Sequence, residues 1–165
     1  MSEPKIDRPD MPQGYGADTA TRYLSWEDVT GNLVEAKHYW LATTRDDGRP
    51  HVVPRWGVWL DDCFWYDGSP TTVHVRNLER DPSCVLHLED GWEVTIVEGR
   101  SLRSDPITGD LGERLSAEYA RKYGPAYTPQ PDSWSDEIAG GMRFVRPGKV
   151  MAWSDFPNDV TRFTF

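Results

Sequence analysis

Residues 51–60 constrain this chain more than any other segment. The even positions, Val52, Pro54, Trp56, Val58 and Leu60, are all apolar, and the odd ones, His51, Val53, Arg55, Gly57 and Trp59, are half apolar. Side chains alternate across a strand, so a strand on the wall of a solvated barrel should be polar on its outer side. This one needs cover on both faces. Trp40, Trp59, Trp65 and Trp153 add more apolar area than the inside of one small barrel holds. The economical arrangement is a homodimer whose interface covers the sheet.

The surrounding pattern is a meander of short strands. Aromatic and β-branched residues run over 38–45, 51–60, 63–66, 84–89 and 93–102. Asp46-Asp47-Gly48, Asp61-Asp62 and Asp90-Gly91 supply tight turns. Two last strands are expected at 142–153 and 160–165. Ser25-Trp26-Glu27-Asp28 has a capping-box pattern, and Trp26, Val29, Leu33 and Ala36 follow at helical spacing, which predicts a helix ending near Lys37. Leu111, Leu115 and Tyr119 mark a second main helix. Residues 124–141 form a Pro/Gly-rich loop of the kind that serves as a lid or an interface arm. Residues 1–22 read as a flexible arm, which leaves 23–165 as a single domain. The fold class is mainly β with peripheral helices, built around a barrel.

Charge and composition exclude several functions. Lys plus Arg number 18 against 27 for Asp plus Glu, a net charge of −9. That opposes nucleic-acid binding, which depends on neutralising phosphates, and polybasic attachment to a membrane surface. No apolar run approaches the ~20 residues of a membrane helix. The N-terminal stretch is polar, without the apolar segment of a secretory signal, so a cytoplasmic protein is expected. Cys63 and Cys84 read as reduced, buried thiols.

Motifs for acid–base, nucleophilic and metal chemistry are missing. There is no G-x-S-x-G elbow, Walker loop, HExxH or cysteine pair at zinc spacing. Cys84 and His87 have opposite parity on one strand and point to opposite faces. We expect no metal site and no protein residue as obligatory acid or base; a bound cofactor would carry the hard chemistry. The suggestive segment is 64–78. It reads as a strand, a glycine turn and a helix capped by Ser69 with Pro70 at its first position. Thr71 and Thr72 place hydroxyls beside unpaired backbone N–H groups at the positive end of the helix, where a phosphate binds. His74 and Arg76 add cations within the next turn. An ordinary capped helix with solvated polar residues is the competing reading.

Several stretches in order then resemble one family. They are Trp40-Leu41-Ala42-Thr43-Thr44-Arg45, Asp47-Gly48-Arg49-Pro50-His51-Val52-Val53-Pro54, Phe64-Trp65-Tyr66, and Val75-Arg76-Asn77-Leu78 with Asp81-Pro82. The ending Val150-Met151-Ala152-Trp153 and Thr161-Arg162-Phe163-Thr164-Phe165 belongs with them. Together they resemble the pyridoxamine 5′-phosphate oxidase-like flavin and deazaflavin oxidoreductases. The resemblance implies a split β-barrel homodimer with two flavin sites at its interface. It puts Val53, Pro54, Arg55 and Trp56 along the flavin ring and ribityl chain, and Trp65 and Tyr66 near that chain. Thr72 and His74 take the places of the phosphate-binding hydroxyl and lysine. Trp153 and Arg162 approach the flavin from the other subunit.

Each assignment has a plainer alternative. Arg55 could form an ion pair, Trp56 could belong to the core, and Trp153 could serve dimer packing alone. Arg162 lies among apolar neighbours and needs an anionic partner. The chain also departs from the family. Histidine replaces the phosphate lysine at His74, and Val73 replaces the neighbouring arginine. Arg162-Phe163-Thr164 lacks the histidine with which the vitamin oxidases hold substrate. The implied function is a flavin-dependent oxidoreductase acting on a small molecule. Its cofactor is FMN or, alternatively, the deazaflavin coenzyme F-420, whose polyglutamate tail would suit Arg143, Arg146 and Lys149. A barrel that stores or senses flavin without turnover is the alternative function.

Overall fold

The computed structural model describes residues 3–15, 22–135 and 141–165. Among the described residues nine strands form one antiparallel sheet. They are β1 (Lys5–Asp7), β2 (Tyr39–Thr44), β3 (Pro50–Arg55), β4 (Val58–Leu60), β5 (Cys63–Asp67), β6 (Ser83–His87), β7 (Val94–Arg103), β8 (Met142–Trp153) and β9 (Thr161–Thr164). The helices are α1 (Trp26–Glu35), α2 (Val73–Arg80) and α3 (Gly109–Tyr123). The pairing path runs β1-β9-β8-β7-β6-β2-β3, and β5 joins β8 to β4. No pairing among the described residues links β3 to β4, so the barrel stays open there.

Local chemistry explains most element ends. The Ser25 hydroxyl caps α1 by accepting the Asp28 N–H at 3.0 Å, and it donates to the Asp28 carboxylate at 2.6 Å. Asp61 and Asp62 both take positive φ, 51° and 56°, in the two-residue turn that pairs Leu60 with Cys63. Aspartate tolerates that conformation better than most side chains.

The predicted strand over 51–60 is in fact two strands, broken at Trp56-Gly57. A Cβ at Gly57 would lie 2.4 Å from the Phe64 ring, so only glycine allows this close crossing. The Gly57 N–H donates to the Tyr123 hydroxyl at 2.9 Å, and its carbonyl accepts from Lys122 Nζ at 3.1 Å. Helix α3 thus satisfies the backbone groups that a ladder would otherwise pair.

Two cores flank the sheet. The barrel core contains Tyr39, Leu41, Trp59, Phe64, Tyr66, Leu86, Val97, Val150 and Phe163, closed at one end by Val29 and Leu33 of α1. The second core packs Val58, Cys63, Trp65 and Met142 against Leu115, Tyr119 and Tyr123 of α3. Trp59 and Trp65 are therefore covered within one chain, which corrects the expectation that they press on a partner. Trp40 and Trp153 stay half-exposed.

The loop after α3 is held down over its described part. Both Tyr127 Oη and Trp134 Nε1 donate to Asp67 Oδ2, the latter at 3.2 Å. Residues 136–140 of that loop lie outside the described residues. Part of the expected flexible arm is a strand, because β1 pairs Lys5, Ile6 and Asp7 with Thr164, Phe163 and Arg162. Residues 1–2 and 16–21 of the arm lie outside the described residues. Among the described residues no helix is long and apolar enough to cross a membrane.

Candidate functional site

The site grows from the free edge of β3, the end of β5 and the start of α2. On β3 the pairs Tyr39–Arg55, Leu41–Val53 and Thr43–His51 put Arg55, Val53 and His51 on the barrel side. Val52, Pro54 and Trp56 face outward, with Val52 47% and Trp56 44% exposed. Arg55 crosses to β5. Its Nη2 donates to the Asp67 carbonyl, and its guanidinium carbon stands 5.5 Å from the centre of the Tyr66 ring. Its Nε is buried and has no partner among the described residues.

His74 also neighbours Tyr66, with ring centres 6.2 Å apart. The sequence reads it as a cation. The structure buries it to 3% exposure, with Nε2 unpartnered. Burial first, then the positive charges of Arg55 and Arg143, hold its pKa down to about 4. With that pKa His74 is a neutral imidazole at pH 7 in the ligand-free chain.

Helix α2 begins later than its sequence suggests. Ser69 and Pro70 form a turn, and Thr72 is the N-cap residue. The Thr72 N–H and hydroxyl both donate to the Ser69 carbonyl, at 3.2 and 2.9 Å. Thr71 shares a hydroxyl bond of 2.9 Å with Ser69, and the Thr71 carbonyl accepts from Arg76 at 2.7 Å. The N–H groups opening α2 are thus those of Val73 and its successors, and no side chain caps them. Arg76 is exposed beside them.

Below this helix is a polar layer that sequence reasoning missed. Asn77 Nδ2 donates to the Thr43 hydroxyl at 3.0 Å, which in turn lies 3.4 Å from His51 Nδ1. Tyr66 and Ser101 share a hydroxyl bond of 2.8 Å. Arg143 Nε donates to that serine hydroxyl at 3.2 Å, and its Nη1 bonds Glu79. Arg143 is 6% exposed, so it braces α2 and is not free to hold a polyglutamate tail. Lys149 pairs with Glu98 at 2.8 Å, and Arg146 stands over the Phe144 ring at 5.6 Å. The only sequence signal for the layer was the presence of polar residues at interior positions of otherwise apolar strands.

The structure gathers Val53, Arg55, Tyr66, Thr71, Thr72 and His74 at one place and leaves other candidates elsewhere. Trp65 has the opposite parity to Tyr66. It packs on Phe144 at 4.9 Å in the second core and donates Nε1 to the Leu60 carbonyl at 3.0 Å. Trp56 stacks flat on Tyr123, with ring centres 4.8 Å apart and planes within 2°. Trp153 and Arg162 lie on β8 and β9, separated from β3 in the pairing path by β7, β6 and β2. The anionic partner that Arg162 requires is Asp7, whose Oδ1 is 2.6 Å from Arg162 Nε.

Register connects these distant residues across the outer surface. Pro54, Trp40, His87, Ile96, Met151 and Arg162 form one cross-strand row. Val52, Ala42 and Val85 begin the next outward row. His87 stacks on Trp40 at 6.4 Å with planes 9° apart. The result is a mainly apolar outer face from the β3 edge to Ile96 and Met151, interrupted by His87 and bounded by Arg162 and by the Glu98–Lys149 pair that continues the second row.

The chain matches the family described as pyridoxamine 5′-phosphate oxidase over residues 27–139. No curated protein matches it. Among solved structures it is similar to a conserved hypothetical protein from Mycobacterium tuberculosis, with 22% identity, 79% of this chain and 84% of that chain covered, and a TM-score of 0.61. An F-420 reductase shares 22% identity over 85% of this chain and 98% of that one, with a TM-score of 0.52. The heme storage protein HutZ from Vibrio cholerae shares 20% identity over 74% and 89%, with a TM-score of 0.55. At these identities the structural likenesses speak for the fold.

Proposed function

The chain belongs to the pyridoxamine 5′-phosphate oxidase family, and from that premise we propose that it is a homodimeric flavin-dependent oxidoreductase acting on a small molecule. Its cofactor is FMN, with coenzyme F-420 as the alternative. The observation that carries this reading is the buried, unpartnered Arg55 Nε beside the start of α2. A buried donor with no acceptor is costly, and a ligand that supplies one relieves the cost.

The residues fit a flavin phosphate without the family lysine. Arg55 supplies a fixed positive charge, and Arg76 a second at the rim. The Thr71 hydroxyl and the N–H groups opening α2 add neutral donors, while Thr72, whose N–H and hydroxyl both bond the Ser69 carbonyl, shapes the turn. His74 contributes a neutral hydrogen-bonding nitrogen. Val53 would exclude water on the barrel side of β3, and Pro54 and Trp56 on its outer side, where the second copy packs. When bound, the flavin supplies hydride transfer. The apolar outer face is the surface on which the second copy packs, and it brings the partner's Trp153 and the partner's Arg162 toward the site.

A second reading is a barrel that binds or stores a planar ligand without turnover. The depressed pKa of His74 favours it, since that imidazole holds no proton to transfer at pH 7. The name of the heme storage neighbour points the same way. The absorption spectrum of the purified chain, followed by mass identification of anything released on denaturation, tests the flavin reading. A flavin or deazaflavin spectrum supports it. A colourless chain that takes up neither cofactor refutes it. Reduction of the bound flavin by a nicotinamide separates enzyme from store.

A further inference from the structure

At the far end of the apolar face a cleft of about 400 Å³ opens between two turns. Gly91 and Trp92 form one wall, and Ser154, Asp155 and Phe156 the other, with Trp153 between them. A volume of this size suits a small ligand. Trp92 is 86% exposed and Phe156 49%. Among the described residues Trp92 pairs with no other ring, so its faces are open. Across the cleft Trp153 and Phe156 pack at 5.8 Å with planes tilted by 59°.

Both walls are fixed in place. Asp90 Oδ1 accepts the N–H groups of Trp92 and Glu93 at 2.7 and 3.2 Å. Asp159, fully buried, accepts the Ser154 hydroxyl at 2.8 Å and the Asp155 N–H at 2.9 Å. These bonds fix the backbone of both turns. The Phe156 ring is set further by Tyr15, whose ring centre lies 6.2 Å away, while the Trp92 ring projects from its fixed backbone toward solvent. The charge on its lining is one-sided: Asp155 lines the cleft, and no Lys, Arg or His is among the described residues that do. Behind the walls the charge is mixed, with Asp90 and Glu93 beside Trp92 and Arg22, 3.2 Å from Asp159, behind Ser154. An anion entering there would meet a carboxylate and no cation on the lining. A flat ring meets aromatic faces, and a positive charge on it gains from those faces and from Asp155.

We infer that this cleft binds a flat aromatic molecule carrying no negative charge. That this molecule is the substrate rests on the flavin reading, which sets Trp153 beside the partner's flavin; that it binds does not. The selectivity is opposite to that for a phosphorylated vitamin.

The test is calorimetric titration of the full chain, without added flavin, by three probes: indole, N-methylquinolinium and 2-naphthoate. Indole and N-methylquinolinium should bind, and 2-naphthoate should bind at least tenfold more weakly. Trp92→Ala should weaken indole and N-methylquinolinium at least tenfold with melting temperature and sedimentation unchanged. Equal affinity for all three probes overturns the inference, as does unchanged affinity in Trp92→Ala. A Trp92→Ala chain that turns from dimer to monomer also overturns it, because Trp92 is then a contact between copies. FMN titration of the same chains keeps the two claims apart. Probe binding without FMN binding refutes the flavin reading alone, and FMN binding without probe binding refutes this one.

Discussion

Arg55 stands over Tyr66, its guanidinium carbon 5.5 Å from the ring centre, and turns a buried Nε toward no partner. The stacked ring and the Asp67 carbonyl hold the guanidinium in place, so little freedom is lost when an anion meets it. Arg55→Met keeps the stem and removes the charge. A charge-assisted bond is worth roughly 1.5–3 kcal/mol, so the FMN dissociation constant should rise at least about tenfold. Melting of the flavin-free chain should change little, because the variant removes a buried unpaired donor together with the bond to the Asp67 carbonyl. FMN titration and thermal unfolding together check this.

His74 sets a pH limit on stability. Its pKa is lowered to about 4 in the fold against an ordinary 6.5. The unfolded chain therefore takes up a proton that the folded chain refuses as pH falls through that window. Stability from this group is complete above pH 6.5, declines from there to about pH 4, and levels off below. The total is on the order of 3 kcal/mol at most. His74→Leu should flatten this part of the curve in urea unfolding measured across the same range. An unchanged slope places the titrating group elsewhere.

The outer face should hold two copies together. Obligate interfaces of this kind commonly bury ~2,000 Å² or more. Ile96→Glu sets a carboxylate in the middle of the row from Pro54 to Arg162, on a half-buried outward position. Sedimentation should show a dimer for the wild type and a monomer for Ile96→Glu, with the far-ultraviolet circular dichroism of the sheet retained.

Arg162 ties β1 to the sheet. Its bond to Asp7 depresses the aspartate pKa to about 2, so the pair persists until strongly acidic pH and breaks as pH falls through that value. Solvent-screened pairs contribute little to global stability. Arg162→Ala should therefore leave the melting temperature nearly unchanged and speed hydrogen exchange at Ile6 and Asp7. If it also weakens FMN in the dimer, the residue serves both strand and cofactor.

Local signals and long-range ones differed in how well they could be read. The capping box at Ser25 and the strand over Met142–Trp153 were legible because their causes lie within a few residues. The break at Gly57 was not, since Tyr123 and Lys122 satisfy its backbone from a helix far along the chain. Ser69-Pro70 is a better helix start by composition than Thr72, yet the Ser69 carbonyl is spent on the Thr72 turn. Strand β1 is short and polar, and its pairing depends on Arg162. For the candidate site, the segments were legible and the protonation was not. Nothing local to His74 announces that Tyr66, Arg55 and Arg143 will surround it. The alternation of 63–67 shows that Trp65 and Tyr66 face opposite ways, a signal available in the sequence that the family resemblance overrode.

The most direct test of the account is equilibrium titration of FMN and of coenzyme F-420 into the flavin-free full chain, wild type beside Arg55→Met, followed by the change in cofactor absorbance. The account predicts saturable binding of one cofactor per chain in the wild type and at least a tenfold loss in the variant. No saturable binding of either cofactor, or equal affinity in wild type and Arg55→Met, would contradict it.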